Sequence, residues 1–335
     1  MSCSEDEIEE EIPSVSSKPA LELAVAAQNC IRFPSKQFGI FLDLLFPSED
    51  PKNLLGRFLH LENYCTGHER ILMKPNSDID VDLFQAFHYP TRISQRYALA
   101  EKMEKQICEG TIKRMWCRLV AYYFEWLTGI GEIRSFLEED KVFLCTGQLC
   151  RILCFVVSYF TYLGGVDGVL DFGGGIYFDP ALCPTGLIKT FAGAITSVMG
   201  EAILPVMRKL RITHEEYVLL KVITFFNTSQ FIGLSDGGIE MANKVCNKYR
   251  YALANLVKEY VEQNYPTLQE SQRHELVLSR LQDLLQLQHG IVTMGEVDDH
   301  YLEKLININY GGLHGTLTKQ IHVERHKSTI PRRYS

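Results

Sequence analysis

Residues 141–163 run apolar almost without relief, and few architectures can hold such a segment. A helix apolar on nearly every face belongs either in a membrane or in the middle of a protein. The stretch is long enough to span a bilayer, but Gln148 and Arg151 sit at its centre. An Arg there costs about 2.5–3.5 kcal/mol on insertion scales. The segment therefore reads as a buried central helix, with no membrane partner expected. Glu138, Glu139 and Asp140 precede it, where the positive end of a helix dipole favours carboxylates. Upstream, an amphipathic helix ends at Trp126-Leu127-Thr128, Gly129 and Gly131 break it, and Ile133 and Phe136 give the connecting turn apolar contacts.

The rest of the chain supplies layers for that helix. Apolar spacing predicts helices over 51–72, 95–128 (with Gly110 a candidate break), 184–208, 215–227 and 236–264. Residues 74–92 read as loop, with one turn at 82–87. Thr213 and Glu216 form a capping-box pattern that starts a surface helix. Residues 269–311 are mostly helical, with Gly290 and Gly295 predicting a kink or loop near Thr293. The glycine-dense stretch 164–180 reads as a small hairpin, with strands at 169–172 and 176–178. It lacks the spacing and the Lys-Ser/Thr ending of a phosphate loop. The sum is an all-α domain with a fully buried middle layer and one small β-hairpin.

Several function classes drop out. The net charge of −7 is spread along the chain, which argues against a broad nucleic-acid surface. The ten cysteines fall mostly in apolar helical segments and include no Cys-x-x-Cys pair, so buried free thiols are expected and a metal site is not. No Gly-x-Ser-x-Gly elbow or His-Glu-x-x-His pair appears, so no catalytic residue is assigned and no cofactor is expected. His214 reads as cap chemistry, and His274 and His289 as surface or core-edge residues.

Trp126, Ile133, Phe136, Asp140, Lys141 and Leu144 fall without a gap at the spacing of the ligand-binding-domain signature of nuclear receptors. Residues 210–227, LRITHEEYVLLKVITFFN, resemble a second segment of that family, with its Glu, aromatic and Leu-Lys pair. The resemblance covers about residues 54–322. Its texture, including Tyr265-Pro266 before the last long helix, is similar to the divergent receptors abundant in nematodes. It implies a three-layer antiparallel helical sandwich over 51–323, flanked by an N-terminal tail or arm (1–50) and a basic C-terminal tail (324–335). Short helices at 21–31 and 37–46 are expected within the N-terminal part. The family's zinc-binding DNA module needs two four-cysteine clusters, whereas only Cys3, Cys30 and Cys65 lie in the first hundred residues. The module is expected to be absent, and direct DNA binding with it.

The resemblance also implies sites. An apolar pocket for a lipophilic small molecule would be lined by Ile112, Trp116, Leu119 and Tyr123, by Cys150, Leu153, Cys154 and Val157, and by Phe172, Tyr177, Leu302 and Ile306. Large side chains such as Trp116 and Tyr123 could equally fill it. A coregulator peptide would be clamped between a Lys and a Glu; this chain has Thr128 and Gln320 there, with Lys141 as a substitute for the first. Ligand-driven coactivator switching is accordingly expected to be weak or absent. Residues 269–288 correspond to the dimer surface, for a second copy or another receptor. The expected role is transcriptional regulation in the nucleus, with the cytoplasm a second location. A ligand-free interaction protein that dimerises with other receptors is the alternative.

Overall fold

The computed structural model describes residues 42, 43, 45, 50–67, 77–228 and 233–324, all within the second of the chain's two units, residues 35–335. The arm at 21–31, most of 37–46 and the basic tail beyond Glu324 lie outside the described residues. The helices are α1 (Pro51–Thr66), α2 (Leu83–His88), α3 (Glu109–Thr128), α4 (Glu138–Gly164), α5 (Leu187–Val198), α6 (Leu204–Leu210), α7 (His214–Phe226), α8 (Asp236–Asn264), α9 (Glu270–Asn307) and α10 (Thr316–His322). Strands β1 (Lys105–Gln106), β2 (Leu170–Gly173) and β3 (Ile176–Phe178) form a small sheet in the order β1-β3-β2.

Central burial decides the architecture. The most apolar window of α4 is 83% buried, so its hydropathy is that of a core helix. α7 is the second middle-layer element, with every residue from Glu216 to Phe226 buried. α1, α3, α8 and α9 pack around these two. The Thr213–Glu216 capping box forms, but α7 is not the surface helix its polar start suggests. Glu216 is buried because Arg280 of α9 meets it with two hydrogen bonds, of 2.6 and 2.9 Å.

Three other local expectations are corrected. Helix α3 begins only at Glu109; residues 95–108 are not helical, and within them β1 pairs parallel with β3 while Ile107 N–H donates to Tyr177 O. Sheet pairing here overrides good helix formers. Residues 82–87 do more than turn: Asp82 and Gln85 cap each other to found α2. Finally, α9 continues unbroken through Gly290 and Gly295. Both glycines mark close helix crossings. A Cβ at Gly295 would lie 2.7 Å from Arg151 Cγ and 2.9 Å from its Cα, and one at Gly290 would lie 3.0 Å from Ala202 Cβ. Gly295→Ala is therefore expected to push α9 off α4 and lower the urea midpoint by about 1–3 kcal/mol of stability, with the slope unchanged. An unaltered midpoint would show that the crossing has slack.

The apolar run Leu187–Leu210 also has membrane-like hydropathy, with 39% of its window buried. Phe191, Ile195, Met199 and Ile203 supply its buried face against α9. A π-turn at Met199–Ile203 precedes Pro205, whose missing N–H could not serve the carbonyl four residues back.

Signature residues hold the layers in register. Asp140, in the first turn of α4, accepts hydrogen bonds from Ser235 N–H (2.8 Å) and Ser235 Oγ (2.6 Å). Ser235 in turn caps α8 through Gly238 N–H, so one carboxylate ties together the starts of two long helices. Trp126 packs edge-on to Phe225 at 5.7 Å, and Phe136 stacks on Phe226 at 6.1 Å. Lys221 of α7 meets Glu62 of α1 and donates to Tyr122 Oη of α3, with no exposed side-chain surface.

Candidate functional site

Two concave regions differ by more than an order of magnitude in size. The interior cavity behind α3 and α4 is about 30 Å³ and is lined by Trp116, Leu119, Leu153, Cys154, Val157, Phe172 and Leu302, with Met115, Phe191, Ile195 and Asp298. A water needs roughly 10–15 Å³ of such space, and a drug-sized ligand several hundred. Aromatic bulk accounts for the difference, because Trp116, Phe172 and Phe191 turn inward and are at most 3% exposed. Seven of the expected pocket residues thus surround one small void. Ile112 and Ile306 are buried outside it, Tyr123 donates its hydroxyl to Cys145 O, and Tyr177 lies half-buried on β3. Burial pushes the Asp298 carboxyl up to about 7. Burial, with the nearby carboxylates of Asp298 and Asp299, also raises the Cys154 thiol.

Cys150 joins a different constellation. His322, fully buried on α10, receives the Trp116 Nε1–H at its Nε2, 3.2 Å away. An indole N–H can only donate, so the ring proton sits on Nδ1 and points at Asp299 Oδ1, 2.7 Å away. The Cys150 thiol lies 3.6 Å from the same oxygen. This cluster fastens α10 to α3, α4 and α9. Leu317 and Ile321, both fully buried, add apolar anchoring. Leu317 N–H donates to Ile79 O, and Gln320 Oε1 accepts from Leu83 N–H at 2.8 Å.

Gln320 is therefore turned to the first turn of α2, and α2 forms a wall of the second concavity. That surface groove is about 770 Å³. Leu83, Phe84, Phe87 and His88 of α2 line one side; Leu127, Thr128, Ile130, Ile133 and Arg134 line its floor, and Glu138, Lys141 and Val142 the other side. Thr128 spends its hydroxyl on Glu125 O, and Lys141 pairs with Glu138 at 2.6 Å. Phe84 is 67% exposed, an open apolar surface beside the groove. Of this lining, Ile133 and Lys141 stand in the sequence signature and Thr128 at the expected clamp position. The α2 wall was missed, since FQAFH looks like loop punctuation until Asp82 caps it. His322 and Asp299 were missed as well; the only hint was a carboxylate pair inside the otherwise apolar stripe of α9.

On the expected dimer face, Leu276 and Leu278 of α9 are exposed, while Lys209–Asp283 and Arg280–Glu216 pairs tie the helix to α6 and α7.

The profile of the ligand-binding domain of nuclear hormone receptor matches residues 100–295. No curated protein matches the chain.

Proposed function

Because the chain belongs to the family of nuclear hormone receptor ligand-binding domains, whose members regulate transcription in the nucleus, we propose that it does so by holding a partner's amphipathic helix in the surface groove, without a large lipophilic ligand inside. The disparity in volume carries this reading: about 770 Å³ at the groove against about 30 Å³ in the void behind α3 and α4, where the ligand pocket is expected. The groove has the size and apolar lining of a recognition site. Lys141 at one rim suits the negative C-terminal end of a docked helix. In the family's usual clamp a Glu of the C-terminal helix meets the other end. Here Gln320 sits in that helix and is spent on α2, so the second wall comes from Phe84 and Phe87. The docked helix is held chiefly by apolar contact, and its binding does not await a ligand.

The test is fluorescence anisotropy with a labelled Leu-x-x-Leu-Leu helical peptide and its Phe-substituted analogue, on protein stripped of lipid. The proposal expects saturable binding that weakens at least about tenfold in Val142→Glu, which places a charge on an exposed groove residue. Binding seen only after lipid is added would restore the ligand-driven reading. No binding of either peptide, with or without lipid, would remove the groove from the account.

A further inference from the structure

Cys150, Asp299 and His322 come from three helices and converge in the protein's interior, their ligand-type atoms all within 4.8 Å of one another. The edges of the triangle are 3.6 Å (Sγ to Oδ1), 3.9 Å (Sγ to Nδ1) and 2.7 Å (Nδ1 to Oδ1). A point equidistant from the three atoms lies about 2 Å from each, close to the length of a zinc–nitrogen or zinc–oxygen bond and slightly short for zinc–sulfur. We propose that this cluster is a site for a zinc-like divalent cation, one whose affinity Trp116 holds down and whose binding bolts the C-terminal helix to the core.

The donor set selects the class of ion. A thiolate with an imidazole favours zinc over magnesium or calcium, which prefer all-oxygen cages. A Cys150 thiolate and an Asp299 carboxylate together offset the charge of two on the ion, which burial favours. Three protein ligands leave a fourth position for water or another donor.

The metal-free arrangement competes with the ion. Trp116 Nε1–H occupies His322 Nε2 and keeps the ring proton on Nδ1, the atom the ion would need. On binding, the Cys150 thiol releases its proton to solvent and the ring proton passes from Nδ1 to Nε2, where it meets the indole N–H at 3.2 Å. Two buried donors then face each other. The indole therefore opposes the ion, so that removing it strengthens binding.

The experiment uses the full chain, stripped of metal with chelator and titrated with Co²⁺ and then Zn²⁺. The proposal expects a thiolate-to-cobalt absorption band in the near ultraviolet that saturates at one equivalent. Zn²⁺ should displace it and raise the melting temperature. Both effects should vanish in Cys150→Ser, and Trp116→Phe should bind Co²⁺ about tenfold tighter. The wild-type titration stands by itself if Trp116→Phe folds poorly. No band and no thermal shift would overturn the proposal and leave a hydrogen-bonded cluster only. A band that persists in Cys150→Ser, or binding that weakens in a folded Trp116→Phe, would overturn it too. Peptide binding at the groove does not enter this test.

Discussion

Replacing Lys221 by Met is expected to cost about 3–5 kcal/mol of stability, the range for breaking one side of a buried ion pair. The side chain is fully buried; it meets Glu62 and donates to Tyr122 Oη, and the rings of Tyr122, Trp126 and Tyr217 stand 4.9–5.1 Å from its ammonium. Burial holds the Lys221 ammonium below its ordinary value, and the Glu62 carboxylate offsets only part of that shift. Met fills the volume but leaves the Glu62 carboxyl group in an apolar interior without its ammonium partner, the hydroxyls of Tyr122 and Tyr217 still donating to it. The second change Glu62→Gln removes that unpaired carboxyl group and should return most of the loss, so the double-mutant cycle reports strong coupling. Urea unfolding measures it directly. A single-mutant cost under about 1 kcal/mol would mean that Lys221 is not the charge holding Glu62 between α1, α3 and α7.

Replacing His322 by Ala is the second large expectation, and it is local. The change leaves the Trp116 N–H and the Asp299 carboxylate without this ring, at about 1–3 kcal/mol for each buried polar group. The docking of α10, rather than the whole fold, should weaken by about 3 kcal/mol, raising amide exchange over 316–322 about hundredfold while α4 and α7 stay protected. Because Gln320 of α10 caps α2, the groove wall should loosen and peptide affinity should fall alongside. An α10 that stays protected in His322→Ala would assign its docking to Leu317 and Ile321 alone.

What the sequence revealed follows from where local and tertiary physics agree. The central helix was legible because its apolar run has no polar face to offer solvent, and the signature because Trp126, Phe136 and Asp140 each do one job at a fixed spacing. Gly295 was misread because a helical glycine looks like a weakness until the backbone of Arg151 is found against it. Residues 95–108 were misread because a two-residue strand leaves no periodicity and is decided by its partner β3. His322 gave no signal at all. Its role depends on an indole over two hundred positions earlier in the chain and a carboxylate on a third helix, and no single-chain pattern encodes that meeting.

Hydrogen exchange over residues 316–322 in lipid-stripped, wild-type protein tests the central claim most directly. If α10 is held by His322, Gln320 and its apolar face, its amides exchange slowly with nothing bound, and a panel of lipophilic compounds changes them little. Amides that exchange freely until a lipophilic compound is added would contradict the account, because the docking of the helix would then depend on a bound ligand.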